Sequence, residues 1–284
     1  MRSSRVPSRR SAVLAVSAAL AAVLTTACSS GAPDRAPDRA PASHEVTLPP
    51  VHAGFDYQLG GAYPPPGGVG VVVRDHTAPA APDVYNICYV NAFQTQPDAE
   101  GDWDTDLLLR DAAGEVVMDE DWGEALLDIG SAANRERIAE KVNGWIDTCA
   151  AKGYRAVEPD NYDSFTRAPD GLLDADDAKA FLSLLAAHAH AKGLAIGQKN
   201  TVELAGARAE VGLDFAVVEE CGRYRECGGY LSAFGDHVVV IEYSAEGLRR
   251  ACAGWGDRLG IVRRDLDVLP AGRSGHLRRT CAHP

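Results

Sequence analysis

The sequence predicts an α/β fold, a (β/α)8 TIM-type barrel with reduced first helices that is preceded by an export signal and a disordered tether. Eight short apolar runs have the length of strands, and helical patterns separate several of them. The runs are continuous rather than alternating, as expected for strands that are buried on both faces. Because repeated strand–helix alternation is typical of a parallel sheet, eight such strands indicate a barrel.

The N-terminal segment 1–27 has the pattern of an export signal. It begins with a basic head of four arginines, Arg2, Arg5, Arg9 and Arg10. The apolar stretch 12–24 follows and is short for a membrane span. It leads into "LTTAC", which resembles a bacterial lipobox with Cys28 as the lipidated first residue of the mature protein. We therefore expect a lipoprotein on the extracellular face of the bacterial membrane.

Two questions about export stay open. Ordinary cleavage near Ala27 would give a fully secreted protein instead of an anchored one. The stretch "SRRSAVL" weakly resembles a twin-arginine signal, so the sequence does not decide the export route.

Segment 28–50 is predicted to be a disordered tether, because its repeated Ala-Pro-Asp-Arg has no apolar periodicity and cannot bury a core. Residues 51–284 are the predicted barrel domain. Removal of 1–27 leaves 24 Lys and Arg against 40 Asp and Glu, a net charge of −16. Such acidity argues against nucleic acid and anionic membrane surfaces as partners, and suits a cationic or neutral ligand. The alternative explanation is that the acidic surface only keeps the protein soluble. We expect a monomer.

The cysteine count agrees with export. Seven cysteines less Cys28 leave six, and an even number outside the cytoplasm indicates three disulfides. Six cysteines allow 15 pairings, so the connectivity stays open. Proximity in sequence favours two pairs and leaves a third, so the predicted disulfides are Cys221–Cys227, Cys252–Cys281 and Cys88–Cys149. A zinc site is not predicted, because no Cys-x-x-Cys occurs and no His stands at ligand spacing beside a Cys.

The apolar runs and helical patterns give an order of elements. The predicted strands are 55–59, 69–75, 85–91, 154–160, 194–200, 215–220, 238–243 and 260–265, and the predicted helices are 134–152, 174–192, 203–211 and 245–255. Helix 134–152 has helical apolar spacing, and Asp174 is a suitable N-cap for the second helix. The gaps after the first two strands hold only about ten residues each, whereas a parallel crossover needs roughly a dozen or more. Either the first helices are reduced or the first strands pair as hairpins.

Nearly every predicted strand ends in polar side chains, namely Asp75, Asn91, Asp160 with Asn161, Lys199 with Asn200, Glu219 with Glu220, Glu242 with Tyr243, and Asp265. In a parallel barrel the carboxyl ends of all strands share the face that carries the active site. We therefore expect an acidic, amide-rich cleft. Glycoside hydrolysis is a reaction that uses two carboxylates in this way, one as nucleophile or base and one as proton donor.

The sequence lacks the motifs of other enzyme classes, and we predict neither a cofactor nor a metal. It has no G-x-G-x-x-G after a strand, no G-x-x-x-x-G-K-[ST], no H-E-x-x-H and no G-x-S-x-G. His188 and His190 are two positions apart on a predicted helix, so their rings point to different faces. The acidic run at 174–177 lacks the glycine and ligand spacing of a calcium loop, and helix capping explains it.

Several motifs in order closely resemble glycoside hydrolase family 114, the endo-α-1,4-polygalactosaminidases and related barrel proteins. They are "FDYQLGG", "RDHTAPA", "YNICYVNAFQTQP", "ALLDI", "AVEPDNYDSF", "AHAHAKGLAIGQKN", "DFAVVEECGRYRECGGY" and "VIEYS". The resemblance covers about residues 53–283. It implies a TIM-type barrel with short first connections, and an endo-acting enzyme that cleaves α-1,4 links between galactosamine or N-acetylgalactosamine units.

The resemblance also implies roles for individual residues. Asp160 matches the carboxylate of the family's E-P-D-N motif and is assigned as nucleophile. Glu219 matches the first glutamate of the motif that closes the sixth strand and is assigned as acid/base; Glu220 is its rival, since adjacent strand residues point to opposite sides. Glu158 should lie deeper on the side of Asp160, as a buried partner for Lys199.

The remaining polar strand ends are expected to bind the sugar. The predicted substrate-binding residues are Asp56, Gln58, Asn91, Asp128, Asn161, Asp163, Lys199, Asn200 and Tyr243. Tyrosine rings beside these ends, at Tyr57, Tyr89 and Tyr162, offer faces to sugar rings, although a tyrosine near a strand also fits a core. A partly deacetylated galactosamine polymer is cationic, so the acidic protein would attract it.

Two alternatives remain. The same fold can act on a different α-linked or amino-sugar polysaccharide, since a barrel does not fix its substrate. A lipoprotein of this kind could also bind oligosaccharide without cutting it, although a pure binder needs no paired acid and base.

Overall fold

The structure is a computed structural model that describes residues 46–281. The predicted signal 1–27, the lipidation site Cys28 and most of the predicted tether lie outside the described residues. The strands are β1 Gly54–Gln58, β2 Val69–Asp75, β3 Tyr85–Asn91, β4 Met118–Asp119, β5 Glu124–Ala125, β6 Ala156–Asp160, β7 Ala195–Lys199, β8 Phe215–Glu219, β9 Val238–Glu242, β10 Gly260–Arg264 and β11 Arg278–Thr280. The α-helices are α1 Ala132–Ala151, α2 Ala175–Ala191, α3 Arg208–Val211, α4 Cys221–Tyr224, α5 Cys227–Phe234 and α6 Ala245–Trp255.

The predicted fold class is confirmed. The main sheet has the strand order β1-β2-β3-β6-β7-β8-β9-β10-β11, in which every pair is parallel except the last. The connections 59–68 and 76–84 contain no helix, yet β1, β2 and β3 pair in parallel. The first helices are therefore reduced, and the alternative of hairpins between the first strands is wrong.

The two ends of the curled sheet meet. A Cβ added to Gly260 of β10 would lie 2.6 Å from the Ala53 carbonyl oxygen and 3.1 Å from Cβ of Phe55. Within residues 46–281, no ladder of backbone hydrogen bonds joins β10 to β1. Side chains span this seam instead: Arg278 of β11 donates to the Phe55 carbonyl oxygen at 2.9 Å and lies 3.2 Å from the buried carboxylate of Asp56.

Strand alternation creates two apolar cores, which explains the continuous apolar runs. One set of alternate strand residues fills the barrel interior and includes Tyr57, Val73, Ile87, Val217 and Ile241. The other set packs outward against the helices and includes Cys88, Val157, Ala216, Val218 and Val240. Since alternate residues point to opposite faces of a strand, these two lists also show which polar strand ends face the barrel axis.

Helix ends follow local capping. Ser131 accepts a hydrogen bond from the Asn134 backbone N–H, so α1 begins two residues earlier than the predicted 134–152. Asp174 and Asp177 form a capping box at the start of α2. The predicted helix 203–211 is instead a 3-10 turn, Val202–Ala207, followed by the single turn α3.

The chain between β3 and α1 arches over the carboxyl ends of the strands. It contains the small hairpin β4–β5, which the sequence did not predict. Backbone hydrogen bonds hold its base, from Thr95 N–H to the Ala125 oxygen at 2.8 Å and from Leu127 N–H to the Phe93 oxygen at 3.0 Å. The turn of this hairpin therefore stands at the mouth of the barrel.

Three disulfides are present, Cys88–Cys149, Cys221–Cys227 and Cys252–Cys281, which are the predicted pairs. They join β3 to α1, α4 to α5, and α6 to the residue after β11. Of the helices in residues 46–281, none has the length and apolar composition to cross a bilayer.

Residues 46–50, the end of the predicted tether, contact the barrel. The Tyr85 hydroxyl donates to the Thr47 carbonyl oxygen at 2.6 Å, and a ring nitrogen of His237 lies 3.0 Å from the Pro49 oxygen. Val46 and Leu48 pack against the inner apolar cluster. These five residues thus form part of the packed domain.

Candidate active site

Side chains from three neighbouring parallel strands meet in a cleft at the carboxyl end of the barrel. Asp160 ends β6, Lys199 ends β7 and Glu219 ends β8, and all three line a cleft of about 420 Å³. Each is the inward-facing member of its strand end, in step with inner-core residues such as Val217. Residues far apart in sequence are thus brought to one site, as predicted for parallel strand ends.

Lys199 is the centre of this arrangement. Its Nζ lies 3.1 Å from Oδ1 of Asp160, 3.4 Å from Oε2 of Glu219 and 3.2 Å from Oε1 of Glu158. Because both contact the same nitrogen, Oδ1 of Asp160 and Oε2 of Glu219 cannot be more than 6.5 Å apart. Burial opposes the charged form of Lys199, but Asp160 and Glu219 raise its pKa well above its ordinary value, so it is an ammonium ion.

Asp160 is held in its ionised form. Burial alone would raise its pKa, but the Lys199 ammonium and the Asn161 backbone N–H, which donates to Oδ1 at 2.8 Å, lower the pKa below its ordinary value. Asn161 has a φ of 66°, so the chain turns sharply after the strand and directs this N–H at the carboxylate. An ionised carboxylate in a cleft is suited to act as a nucleophile.

Glu219 is positioned by residues that directly follow β7 and β9, Asn200 and Tyr243. Nδ2 of Asn200 donates to Oε2 at 3.1 Å, and the Tyr243 hydroxyl donates to Oε1. Asn200 also accepts from the Glu219 backbone N–H at 2.8 Å, so the amide bridges the main chain and side chain of one residue. Burial and the adjacent Glu219 raise the pKa of Tyr243, which therefore stays a donor. The Glu219 side chain is 24% exposed and open to the cleft.

Glu220 has a different environment. It leaves β8 with a φ of 58°, and its carboxylate accepts from Nη1 of Arg223 at 2.7 Å. It lines an adjoining groove rather than the cleft shared by Asp160 and Glu219. The left-handed turn at the end of β8 thus separates the two glutamates.

Glu158 lies below Asp160 and is fully buried. Its Oε1 accepts from the Tyr57 hydroxyl at 2.9 Å in addition to the predicted contact with Lys199. Burial raises the pKa of Glu158 to about 7, and Lys199 opposes that rise.

Five of the predicted substrate-binding residues line the cleft, and four do not. The residues in the lining are Asn161, Asp163, Lys199, Asn200 and Tyr243, together with the rings of Tyr57 and Tyr89. Tyr162 is buried instead, with its ring 5.9 Å from that of Phe93.

The structure places the other four away from the cleft for identifiable reasons. Asp56 and Gln58 are buried, because they alternate with the inward-facing Tyr57; Asp56 lies 3.5 Å from Arg264, and Gln58 accepts from Arg74 at 3.0 Å.

Asn91 lies behind the cleft wall, where its Oδ1 accepts from Nδ2 of Asn161 at 2.9 Å. Asp128 accepts from Gly130 N–H at 3.0 Å and from Nδ2 of Asn134 at 2.9 Å, so it orders the start of α1.

Several lining residues were not predicted. Trp122, in the turn of the β4–β5 hairpin, is 60% exposed at the cleft mouth, and Leu266, which follows β10, is 64% exposed. Glu124 accepts from Nδ2 of Asn91 at 3.0 Å, and burial raises the pKa of Glu124 to about 7. The sequence does carry a signal for Trp122, which lies within the acidic stretch "DEDWGE". A stretch with so many charges is expected at the surface, so its large aromatic ring is expected to be exposed.

The cleft continues into the adjoining groove of about 410 Å³. Trp122, Asn200, Glu219 and Tyr243 line both. The groove adds three further glutamates and two tyrosines, namely Glu203, Glu220, Glu226, Tyr224 and Tyr230. The carboxylate of Glu219 therefore stands where the two parts join. Within residues 46–281, no group of three or more His, Cys, Asp and Glu side chains is arranged to hold a metal ion.

Comparison with known proteins gives one family. The model for glycoside-hydrolase family GH114 matches residues 36–283. No curated protein sequence matches the chain.

Among the solved structures with a similar fold are those of Ega3 and PelA. Ega3 of Aspergillus fumigatus, solved in complex with galactosamine, is 23% identical with a TM-score of 0.65, and the match covers 79% of this chain and 96% of that one. The glycoside hydrolase domain of PelA from Pseudomonas aeruginosa is 16% identical with a TM-score of 0.54, covering 78% of this chain and 98% of that one.

Proposed function

The chain belongs to glycoside hydrolase family GH114 and is a glycoside hydrolase, and on this basis we propose that it cleaves internal α-1,4 links between galactosamine or N-acetylgalactosamine units of a polysaccharide. The observation that carries the proposal is the pair Asp160 and Glu219, held at one ammonium group in an open cleft. The galactosamine bound to Ega3 supports an amino sugar as the substrate.

The proposed mechanism uses the two carboxylates in turn. Asp160, whose pKa is lowered, attacks the anomeric carbon while protonated Glu219 gives its proton to the departing glycosidic oxygen. The glycosidic bond breaks, and an ester between the sugar and Asp160 forms. Glu219, now ionised, takes a proton from water, whose oxygen attacks the same carbon and releases Asp160.

The groove supports cleavage within a chain. Glu219 lies where the cleft and the adjoining groove meet, so sugar units can extend to both sides of the scissile bond. An enzyme that removes single terminal units needs room for only one unit on one side of that bond. Carboxylates along the groove and the net charge of −16 expected for the mature chain favour a polymer that carries free amino groups.

Incubation with defined α-1,4-galactosamine oligosaccharides tests the proposal. Mass analysis should find products cut at internal links, with different degrees of N-acetylation compared side by side. Oligosaccharides that are bound but never shortened would contradict the enzymatic role and favour a binding lipoprotein. Cleavage of another α-linked polymer and not of this one would assign a different substrate to the same carboxylates.

We also propose that the mature enzyme is a monomer anchored through lipid on Cys28, outside the cell. The lipobox-like "LTTAC" and three disulfides support this. Expression of Cys28→Ser in a bacterial host should move the enzyme from the membrane fraction to the soluble exported fraction. An unchanged membrane fraction would contradict the anchor.

A further inference from the structure

Glu158 is a third carboxylate beneath the proposed catalytic pair, and the reaction described above does not use it. It is fully buried, and within the described part of the chain its Oε2 has no hydrogen-bond partner. Its Oε1 contacts both the Tyr57 hydroxyl, at 2.9 Å, and Nζ of Lys199, at 3.2 Å. A buried carboxylate whose second oxygen lacks a partner costs stability, so its presence calls for a reason.

The strands around Glu158 bring other titratable groups to it. These are Tyr57 from β1, Tyr89 in register with it on β3, Asp160 from its own strand β6, Lys199 from β7 and Glu219 from β8. Of these five groups, Lys199 alone is a cation. One positive charge is therefore shared among three carboxylates, all within 3.4 Å of the same nitrogen.

We propose that Glu158 is a positioning residue that acts through Lys199, by setting how much of the lysine's positive charge is left for Asp160 and Glu219. The inference rests on the proposed function, since it assumes that these two carboxylates do the chemistry. Glu158 itself does not line the cleft and does not reach the substrate.

The consequence of this sharing changes with pH. Burial raises the pKa of Glu158 to about 7, so below neutral pH it is uncharged and Lys199 serves Asp160 and Glu219 alone. Above neutral pH Glu158 is ionised; it competes for Lys199 and repels negative charge on Glu219. The negative charge on Glu158 then opposes a further negative charge at the proposed catalytic pair, and we expect the enzyme to stay active on the alkaline side.

The variant Glu158→Gln tests this. Glutamine can accept from Tyr57 through its oxygen and place its amide group where Oε2 has no partner. We expect kcat/KM within about twofold of wild type at pH 5–6, where Glu158 is already uncharged. In the pH profile of kcat/KM, the apparent pKa of the alkaline limb should fall by about one unit. At a pH on the falling side of the profile, this is a loss of about tenfold in rate. An alkaline limb that superimposes on the wild-type limb would overturn the inference.

Glu242→Gln is the matched control. Glu242 is also fully buried, burial also raises its pKa to about 7, and its Oε1 accepts from Gly222 N–H at 2.7 Å on the outer face of β9. This variant removes the same charge outside the barrel interior, so its pH profile should follow wild type. If the alkaline limb of Glu242→Gln shifted as much as that of Glu158→Gln, loss of any buried charge would be enough to move the limb. That result would refute the role of Lys199.

A second measurement follows the wild-type protein and needs no Glu158 variant. Carbon-13 NMR of carboxyl-labelled wild-type protein can follow Glu219, assigned by the signal missing in Glu219→Gln. The Glu219 carbon should show a separate inflection near pH 7 as Glu158 ionises, and a curve without it would overturn the inference. If the wild-type enzyme cleaves the polymer but Glu158→Gln keeps the wild-type pH profile, only this inference fails. If the wild-type protein does not cleave the polymer, the proposed function fails. The NMR titration then still tests whether Glu158 and Glu219 are coupled.

Discussion

Asp160 and Glu219 both contact the ammonium group of Lys199, so the oxygens that contact it are at most 6.5 Å apart. Retaining glycosidases hold their carboxyl groups about 5–5.5 Å apart, whereas inverting enzymes leave roughly 6.5–9.5 Å for a water molecule. The observed limit lies below nearly all of the inverting range. The shared cation thus holds the two contacting oxygens no farther apart than the lower end of the inverting range.

Retention of anomeric configuration is the first expectation. Proton NMR of the earliest products should show the α-anomer of the new reducing end, before mutarotation produces the β-anomer. A first product in the β configuration would contradict the short spacing.

Removal of either carboxylate should abolish turnover while sparing the fold. We expect Asp160→Asn and Glu219→Gln each to lower kcat by at least about 10³-fold, because each step needs both groups. The melting temperature should remain within a few degrees of wild type, since both substitutions are isosteric. Glu220→Gln should have a much smaller effect; if it loses more activity than Glu219→Gln, the acid/base assignment is wrong.

Trp122 should support binding of the polymer. Its ring is 60% exposed at the cleft mouth, so truncation removes a stacking surface without opening a core. Trp122→Ala should raise KM for long chains several-fold and change thermal stability little. Leu184→Ala, which removes another exposed apolar side chain from α2, serves as the control and should leave KM unchanged.

The stability of the protein should depend on the protonation of Glu242. Burial raises the pKa of Glu242 from 4.5 to about 7 in the folded state, so the folded protein holds this proton more tightly than the unfolded chain does. The stabilisation is fully present below pH 4.5 and is lost as the pH rises through about 7. The corresponding loss is about 3 kcal/mol in the free energy of unfolding. Denaturant titrations should show a smaller decline for Glu242→Gln between pH 5 and 8; parallel curves would contradict this.

Salt should weaken the capture of a cationic polymer. If the acidic charge attracts free amino groups, KM for deacetylated chains should rise several-fold between about 20 and 300 mM salt as screening increases. Fully N-acetylated chains lack the charge and provide the control. Equal salt dependence for both would show that the attraction is not electrostatic.

The strand ends could be predicted from sequence because the chemistry changes abruptly there. Asp160, Lys199 and Glu219 each end an apolar run, and parallel pairing necessarily brings such ends to one face. It was harder to predict which strand residues point toward the barrel axis. A strand that is buried on both sides does not alternate between polar and apolar residues, so its sequence does not show which face is the inner one. Asp56 and Gln58 were therefore expected at the cleft, although both alternate with the inward-facing Tyr57 and pair with arginines.

The hairpin that carries Trp122 and Glu124 was beyond sequence patterning. Its strands, Met118–Asp119 and Glu124–Ala125, have two residues each, too few to show any period. Long-range hydrogen bonds, such as that from Thr95 to Ala125, order it. Helix α5 was missed for a similar reason: it contains Gly228 and Gly229, which disfavour a helix, and the Cys221–Cys227 disulfide fixes its start.

The short strand β11 pairs with the outer edge of β10, which has no backbone ladder to β1 within residues 46–281. An unpaired strand edge is a template on which another chain can add, and the Cys252–Cys281 bridge keeps β11 in place. A thiol reductant would break this disulfide, release β11 and leave the edge of β10 unpaired. Samples handled with such reagents should therefore form intermolecular aggregates, which makes the oxidising surroundings outside the cell a condition for keeping the enzyme dispersed.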